Sequence, residues 1–118
     1  MTHERKKLSK ITEEMMMFFY GIGGNDITFN VKLQGDDAVI TFESNFDKKR
    51  RHAVEDMERL LNSEHDYGVE DIYWELMGSG EPGESSQLLL VGMMVDKADV
   101  TVKDDHVKVV MYKKDLHK

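Results

Sequence analysis

The chain has 118 residues, with 16 basic and 23 acidic side chains, a formal charge of −7 at pH 7, and no cysteine. Its length fits one compact domain and is short for two, so we expect residues 1–118 to form a single domain. The acidic balance argues against a nucleic acid or an anionic membrane as main partner. The lack of cysteine excludes disulfides, thiolate catalysis and cysteine zinc sites.

No run of about 18 apolar residues occurs in the sequence, so no transmembrane helix is expected. The basic N-terminal stretch 1–10 is not followed by the apolar core of a signal peptide, because Thr12, Glu13 and Glu14 interrupt it. We therefore expect a cytoplasmic protein without a membrane partner.

The first predicted element is a helix from about Thr2 to Tyr20. Apolar residues recur there at steps of three and four, which is the period of an α-helix. These residues are Leu8, Ile11, Met15, Phe18 and Ile22. The glycines at positions 21, 23 and 24 are expected to end the helix.

A β-hairpin is predicted next. Apolar and polar residues alternate between Ile27 and Leu33, which indicates a strand with one buried face and one solvated face. Residues 34–37 are typical of a turn, and a second strand is predicted over Ala38–Glu43.

Three more helices are predicted in the middle of the chain. The first spans about 47–62, with its first residue as N-cap, and the second is a short helix over 69–76. The third begins near Ser85 or Ser86 and runs through Val95. Its residues are apolar on nearly all sides of the helix, which predicts that the helix is buried.

Two strands close the chain, over Val100–Lys103 and His106–Lys113, with a two-residue turn between them. Strands that come in pairs with helices between them are typical of an α+β fold. We predict a single mixed, mostly antiparallel sheet of about four strands, with helices packed on one face.

Residues 15–20 form an apolar run, Met-Met-Met-Phe-Phe-Tyr, within the first predicted helix. Core packing accounts for part of this run, but six consecutive residues cannot all lie on one face of a helix. Met16, Phe19 and Tyr20 are therefore our candidate partner-binding residues, for contact with another protein or with a second copy of the chain in a homodimer.

The other polar clusters indicate no metal site. The five histidines, at positions 3, 52, 65, 106 and 117, include no pair at metal-ligand spacing, so we expect surface histidines.

The basic run 48–52 opposes the dipole of the helix that it begins. We expect a solvated face there, with contact to an anion or acidic partner as the alternative.

A glycine-rich segment precedes the last predicted helix, with Gly78, Gly80 and Gly83. Backbone N–H groups of such a loop, followed by a helix N-terminus, can hold phosphate oxygens. The spacing matches neither a P-loop nor a dinucleotide fingerprint, and Glu81 and Glu84 add negative charge. The residues alone favour a structural loop.

The order of elements, together with four stretches, resembles the ATPase domain shared by gyrase, heat-shock chaperones, histidine kinases and mismatch-repair proteins. The similarity is to the compact version found in anti-sigma-factor kinases, and it covers roughly residues 11–113. The stretches are TEEMMMFFYG (12–21), ITFNVKLQGDDAVITFESNFD (27–47), GSGEPGESSQLLLVGMMVD (78–96) and ADVTVKDDHVKVVMYKK (98–114).

The resemblance implies a Mg²⁺–ATP site, but the residues that form it in the family are changed here. The metal-holding asparagine of the family falls at Met16 and its glutamate at Thr12, and a thioether is a poor ligand for a hard cation. The adenine-reading aspartate falls at Glu43, and the two glycines that follow it fall at Asn45 and Asp47.

We therefore predict a non-catalytic regulatory or protein-binding module on a degenerate histidine-kinase-like ATPase scaffold, with no cofactor. The alternative is an ATP-binding anti-sigma-type serine kinase with an unusual site. In that alternative Glu43 contacts adenine, and Gly78, Gly80 and Gly83 hold the phosphates of ATP with Mg²⁺. A third hypothesis is an unrelated α+β domain.

Overall fold

A computed structural model describes residues 3–62, 84–114 and 116 of the chain. The elements are α1 (His3–Gly21), β1 (Ile27–Gln34), β2 (Asp37–Asn45), a 3₁₀ turn (Lys48–Arg50), α2 (Arg51–Glu55), α3 (Met57–Leu61), α4 (Glu84–Gly92), β3 (Lys97–Lys103) and β4 (His106–Lys113). The predicted short helix over 69–76 lies outside the described residues.

The four strands form one sheet in the order β1-β2-β4-β3. Each neighbouring pair is antiparallel, so the described strands contain no parallel pair. Helix α4 packs against both α1 and α3, and the helices lie on one face of the sheet. The predicted α+β class, with a single sheet of four strands and helices on one face, is confirmed.

Helix α1 ends at the predicted glycines. Gly23 has a φ of +90°, a conformation that glycine adopts at low cost. The Gly24 N–H donates to the Phe19 carbonyl at 2.8 Å, and the Gly23 N–H donates to the Tyr20 carbonyl at 3.2 Å. These two bonds form a Schellman motif, which satisfies carbonyls that the last turn of a helix leaves without partners.

Both hairpins have two-residue loops, which was predicted for the second hairpin, whereas the turn predicted over 34–37 in the first is shorter because Gln34 and Asp37 belong to the strands. In the first hairpin Gln34 pairs with Asp37 across the loop, and Gly35 has a φ of +64°. In the second hairpin Asp104 takes the equivalent position with a φ of +56°. The residues that flank such a loop form a hydrogen-bonded pair. This rule fixes which backbone groups of each strand face the neighbouring strand and which face away from it.

The segment predicted as one helix over 47–62 is divided into three short pieces. Asp47 caps the first piece as predicted, since its carboxylate accepts a hydrogen bond from the Lys49 N–H at 3.0 Å. Lys48–Arg50 then form a 3₁₀ turn, and the helix breaks again at Asp56. Basic residues in the first turn disfavour a continuous helix, because the positive end of the helix dipole lies there.

Most other boundaries shift by a few residues. Strand β3 begins three residues before the predicted Val100, and β2 extends two residues beyond Glu43. Helix α4 begins at Glu84, so Ser85 and Ser86 lie inside the helix, and it ends before Val95.

The core lies between the sheet and the helices. Alternate residues of the two central strands face the helices and are buried. They are Ala38, Ile40 and Phe42 on β2, and Val107, Val109 and Met111 on β4. The helices contribute Ile11, Met15, Phe18, Phe19, Ile22, Val54, Met57, Leu60, Leu61, Leu88, Leu89 and Val91.

Candidate protein-interaction surface

The apolar face of β1 is exposed, which contradicts the prediction that this face is buried. The side chains of Phe29, Val31 and Leu33 have 47%, 37% and 64% of their surface exposed. Their partners on β2 are Phe42, Ile40 and Ala38, which are all buried. Directly paired residues of antiparallel strands point to the same face. The three side chains therefore lie on the helix-bearing face, at an edge that the described helices do not cover.

A row of aromatic rings joins this exposed edge to the core. The ring of Phe29 stacks on Phe42, with centroids 5.5 Å apart, and Phe42 lies 5.8 Å from the ring of Phe19. Phe19 lies on α1 and is fully buried. The hydrophobic core thus continues outward onto β1 and ends at an exposed edge.

The three candidate residues on α1 lie in different environments. Phe19 lies in the core, so it supports the surface from below and cannot itself contact a partner. Met16 is 44% exposed and Tyr20 is 73% exposed. Met16 precedes Phe19 by three residues, so the two are neighbours on the surface of α1. We call the exposed side chains of Phe29, Val31 and Leu33 the β1 surface.

The backbone of β1 adds polar groups to this surface. Gln34 and Asp37 flank the hairpin loop, so even-numbered residues of β1 direct their N–H and C=O groups toward β2. The outward backbone groups therefore belong to Ile27, Phe29, Val31 and Leu33. Within the described part of the chain no strand pairs with this side of β1.

The opposite edge of the sheet is occupied by side chains. The Asn62 amide donates to the Ala98 carbonyl at 2.9 Å and accepts from the Ala98 N–H at 3.0 Å. The Glu58 carboxylate accepts from the Val100 N–H at 3.2 Å. Ala98 and Val100 are the outward-facing residues that the hairpin rule predicts for β3. The two edges of the sheet therefore differ: α3 and its C-cap supply partners to β3, whereas no described strand or side chain bonds to the outer backbone groups of β1.

Of the nucleotide-site residues in the alternative hypothesis, Glu43 alone lies in the described part of the chain. It is exposed on the face of the sheet that the described helices do not cover, which we call the bare face. There it lines an open cavity of about 440 Å³ with Thr28, Lys103, His106 and Lys108 among others. Helix α4 packs on the opposite face. The glycines predicted to hold phosphate, Gly78, Gly80 and Gly83, lie outside the described residues, and the chain continues from them directly into α4.

Within residues 3–62, 84–114 and 116, no three histidine, aspartate or glutamate side chains are grouped so that they could hold a metal ion. In the same part of the chain, none of the helices has the length and apolar character needed to cross a membrane. The basic run 48–52 is mostly exposed, as expected for a solvated face, and two of its arginines also bond to backbone carbonyls. Arg50 donates to the Gly21 carbonyl at 3.4 Å, and Arg51 donates to the Asp104 carbonyl at 3.2 Å.

No protein-family model, no curated protein and no solved structure matches this chain. The packing of α1 beside α4 on one face of the sheet is what the resemblance to histidine-kinase-like ATPases requires. Unrelated α+β domains share that arrangement. The resemblance therefore stays a prediction, and the functional argument depends on the β1 surface.

The exposure of Phe29, Val31 and Leu33 was not predicted from the sequence. Their alternation with polar residues correctly indicated a strand with two different faces. Alternation alone does not tell whether a helix covers the apolar face, because that depends on where the strand lies in the sheet. The position at an edge followed only from the strand pairing.

Proposed function

We propose that this protein is a non-catalytic regulatory module that binds protein through the β1 surface, on a scaffold resembling the histidine-kinase-like ATPases. The observation that carries the proposal is the exposed apolar row of Phe29, Val31 and Leu33 beside an open strand edge. An apolar row with unpaired backbone groups is the recognition surface that proteins use for adding an extended strand.

The positions that the family uses for nucleotide support a role without catalysis. Met16, which takes the place of the metal-holding asparagine, presents an exposed thioether to solvent. Glu43, which takes the place of the adenine-reading aspartate, lies on the face opposite α4. A site that joins these residues with the start of α4 would need groups from both faces of the sheet.

The first test is thermal melting of the full chain with and without millimolar ATP and Mg²⁺. We expect no change in Tm. A nucleotide at 100 times its dissociation constant would contribute about 2.7 kcal/mol, which raises the Tm of a domain this size by roughly 10 °C. A rise of that kind would favour the alternative, an ATP-binding serine kinase, and would contradict the proposal.

The second test measures protein binding with random peptides displayed on phage. We expect the wild-type chain to enrich extended peptides rich in β-branched and aromatic residues. Leu33→Lys should lose them, because it places a charge on the β1 surface. The matched control is Met93→Lys, since Met93 is 49% exposed and lies after α4. Enrichment that is equal for both variants would contradict binding through β1.

A further inference from the structure

We propose that the occupant of the β1 surface is a second copy of this chain, with two β1 strands paired antiparallel across a two-fold axis. The sheet of the dimer would then have eight continuous strands. This inference deepens the proposed function and depends on it, because it names the partner that the β1 surface binds.

The backbone pattern of β1 is compatible with pairing to itself. Ile27, Phe29, Val31 and Leu33 carry the outward N–H and C=O groups, as derived above from the closing pair of the hairpin. When two copies are paired around Asn30, each outward-facing residue meets another outward-facing residue. Phe29 lies opposite Val31 of the second copy, and Ile27 lies opposite Leu33. All outward groups of these residues then find hydrogen-bond partners.

The side chains on the helix-bearing face are also self-complementary. In this register Phe29 faces Val31 and Ile27 faces Leu33, so every pair on this face is apolar, which favours cross-strand contact. The apolar row of one copy continues into that of the other, so side chains now 37% to 64% exposed become covered.

Charge complementarity supports self-pairing, and the strand bounds select the register. On the bare face, Thr28 of one copy lies opposite Lys32 of the other, and the diagonal neighbour of Lys32 is Asp26 of the second copy. The two-fold axis creates this contact of opposite charges twice. Pairing shifted by two residues toward the hairpin, centred on Val31, would make the two Lys32 side chains diagonal neighbours and leave Ile27 opposite the loop. Pairing centred on Phe29 would leave Leu33 without a partner in β1, whereas pairing centred on Asn30 includes all four outward-facing residues within the observed strand bounds.

The two edges of the sheet explain why β1 pairs and β3 does not. Asn62 already bonds to both outward groups of Ala98, and Glu58 bonds to the outward N–H of Val100. Pairing through β3 would have to break these bonds, whereas pairing through β1 breaks no bond to a described strand.

The first experiment is sedimentation equilibrium of the full chain over a concentration series. We expect a mass approaching twice 13.7 kDa as the concentration rises. Leu33→Lys should shift the chain to monomer, and Met93→Lys should leave the association unchanged, with circular dichroism used to verify folding. A wild-type chain that is monomeric throughout would overturn the inference. Peptide binding through β1 in the same protein would leave the proposed function standing.

The second experiment uses the absence of cysteine from the chain. In the proposed register, Asn30 faces Asn30 of the second copy as a non-hydrogen-bonded pair, with Cα atoms about 4.5 Å apart. That separation suits a disulfide, so Asn30→Cys should cross-link under mild oxidation. Asp99→Cys is the matched control, because Asp99 lies in the same row across the sheet but on β3. Equal cross-linking of both variants, or none of Asn30→Cys, would overturn the inference.

A charge exchange tests the same register without relying on apolar residues. Asp26→Lys and Lys32→Asp should each weaken dimerisation roughly tenfold, because each replaces two attractive contacts by two repulsive ones. The double variant restores opposite charges and should recover most of the wild-type affinity. Additive weakening in the double variant would overturn the proposed register.

Discussion

Gly24 lies where the end of α1 approaches the end of β2 closely. A Cβ atom at this position would lie 2.6 Å from the Ser44 hydroxyl oxygen, 2.8 Å from the Phe19 carbonyl oxygen and 3.0 Å from the Asn45 carbonyl oxygen. Two of these atoms belong to the backbone, so they cannot rotate away. The small size of this residue therefore sets how closely the first helix packs on the sheet.

We expect Gly24→Ala to lower the free energy of unfolding by about 2 kcal/mol, because the added methyl group forces backbone atoms apart. The control is Gly35→Ala. No atom lies within 4 Å of its added Cβ, but its φ of +64° is unfavourable for alanine. That variant should lose only about 1 kcal/mol. Urea denaturation measures both values, and a loss at Gly24 no larger than at Gly35 would contradict the close-contact argument.

At the scale of elements, the sequence predicted much of the fold. The amphipathic pattern of α1, the glycines after it and both hairpin loops are local signals, and the elements form where these signals lie. The break of the predicted 47–62 helix at Asp56 was missed, because the apolar period continues across it. The exposure of β1 was missed for another reason: it depends on which strands pair and how far the helices reach.

The hydrogen bonds between Asn62 and β3 depend on tertiary structure rather than on local sequence, and they give a testable prediction. Asn62→Ala removes its two hydrogen bonds to Ala98 and a third, at 2.7 Å, to the Glu58 carbonyl. We expect a loss of about 1–3 kcal/mol in unfolding free energy, since polar backbone groups lose their partners. Amide hydrogen exchange at Ala98 should become faster.

Glu58→Gln is the matched control for that measurement. It removes the charge but keeps a side-chain oxygen that can accept from the Val100 N–H, so exchange at both amides should change little. Unchanged exchange at Ala98 in Asn62→Ala would show that another group protects this edge.

At the scale of the whole molecule, one core joins the helices to all parts of the sheet. Phe42 lies at its centre on β2 and contacts Phe19 on α1 as well as Phe29 on the exposed edge. The surface proposed for binding is thus an extension of the core. Its rigidity comes from the same ring packing that holds the domain together.

Phe42→Leu should lower the free energy of unfolding by about 1–2 kcal/mol, because the smaller side chain leaves both rings partly without contact. Thr41→Val is the control, since this residue directly precedes Phe42 on the same strand but faces the other side of the sheet. Its effect should stay within about 0.5 kcal/mol. Far-ultraviolet and near-ultraviolet circular dichroism should report a single transition, and two separate transitions would contradict the idea of one core.

Asn62 and Glu58 make hydrogen bonds to β3 through their side chains. These bonds also bear on how many chains one sheet can contain. Open-ended growth of a β-fibril requires two available edges on every subunit. In the described part of the chain, both outward groups of Ala98 and the outward N–H of Val100 on β3 are already bonded, whereas no strand pairs with the outer side of β1. In the proposed dimer, assembly through β1 would therefore stop at two subunits. The amide that holds the end of α3 against β3 would then also disfavour further growth of the sheet.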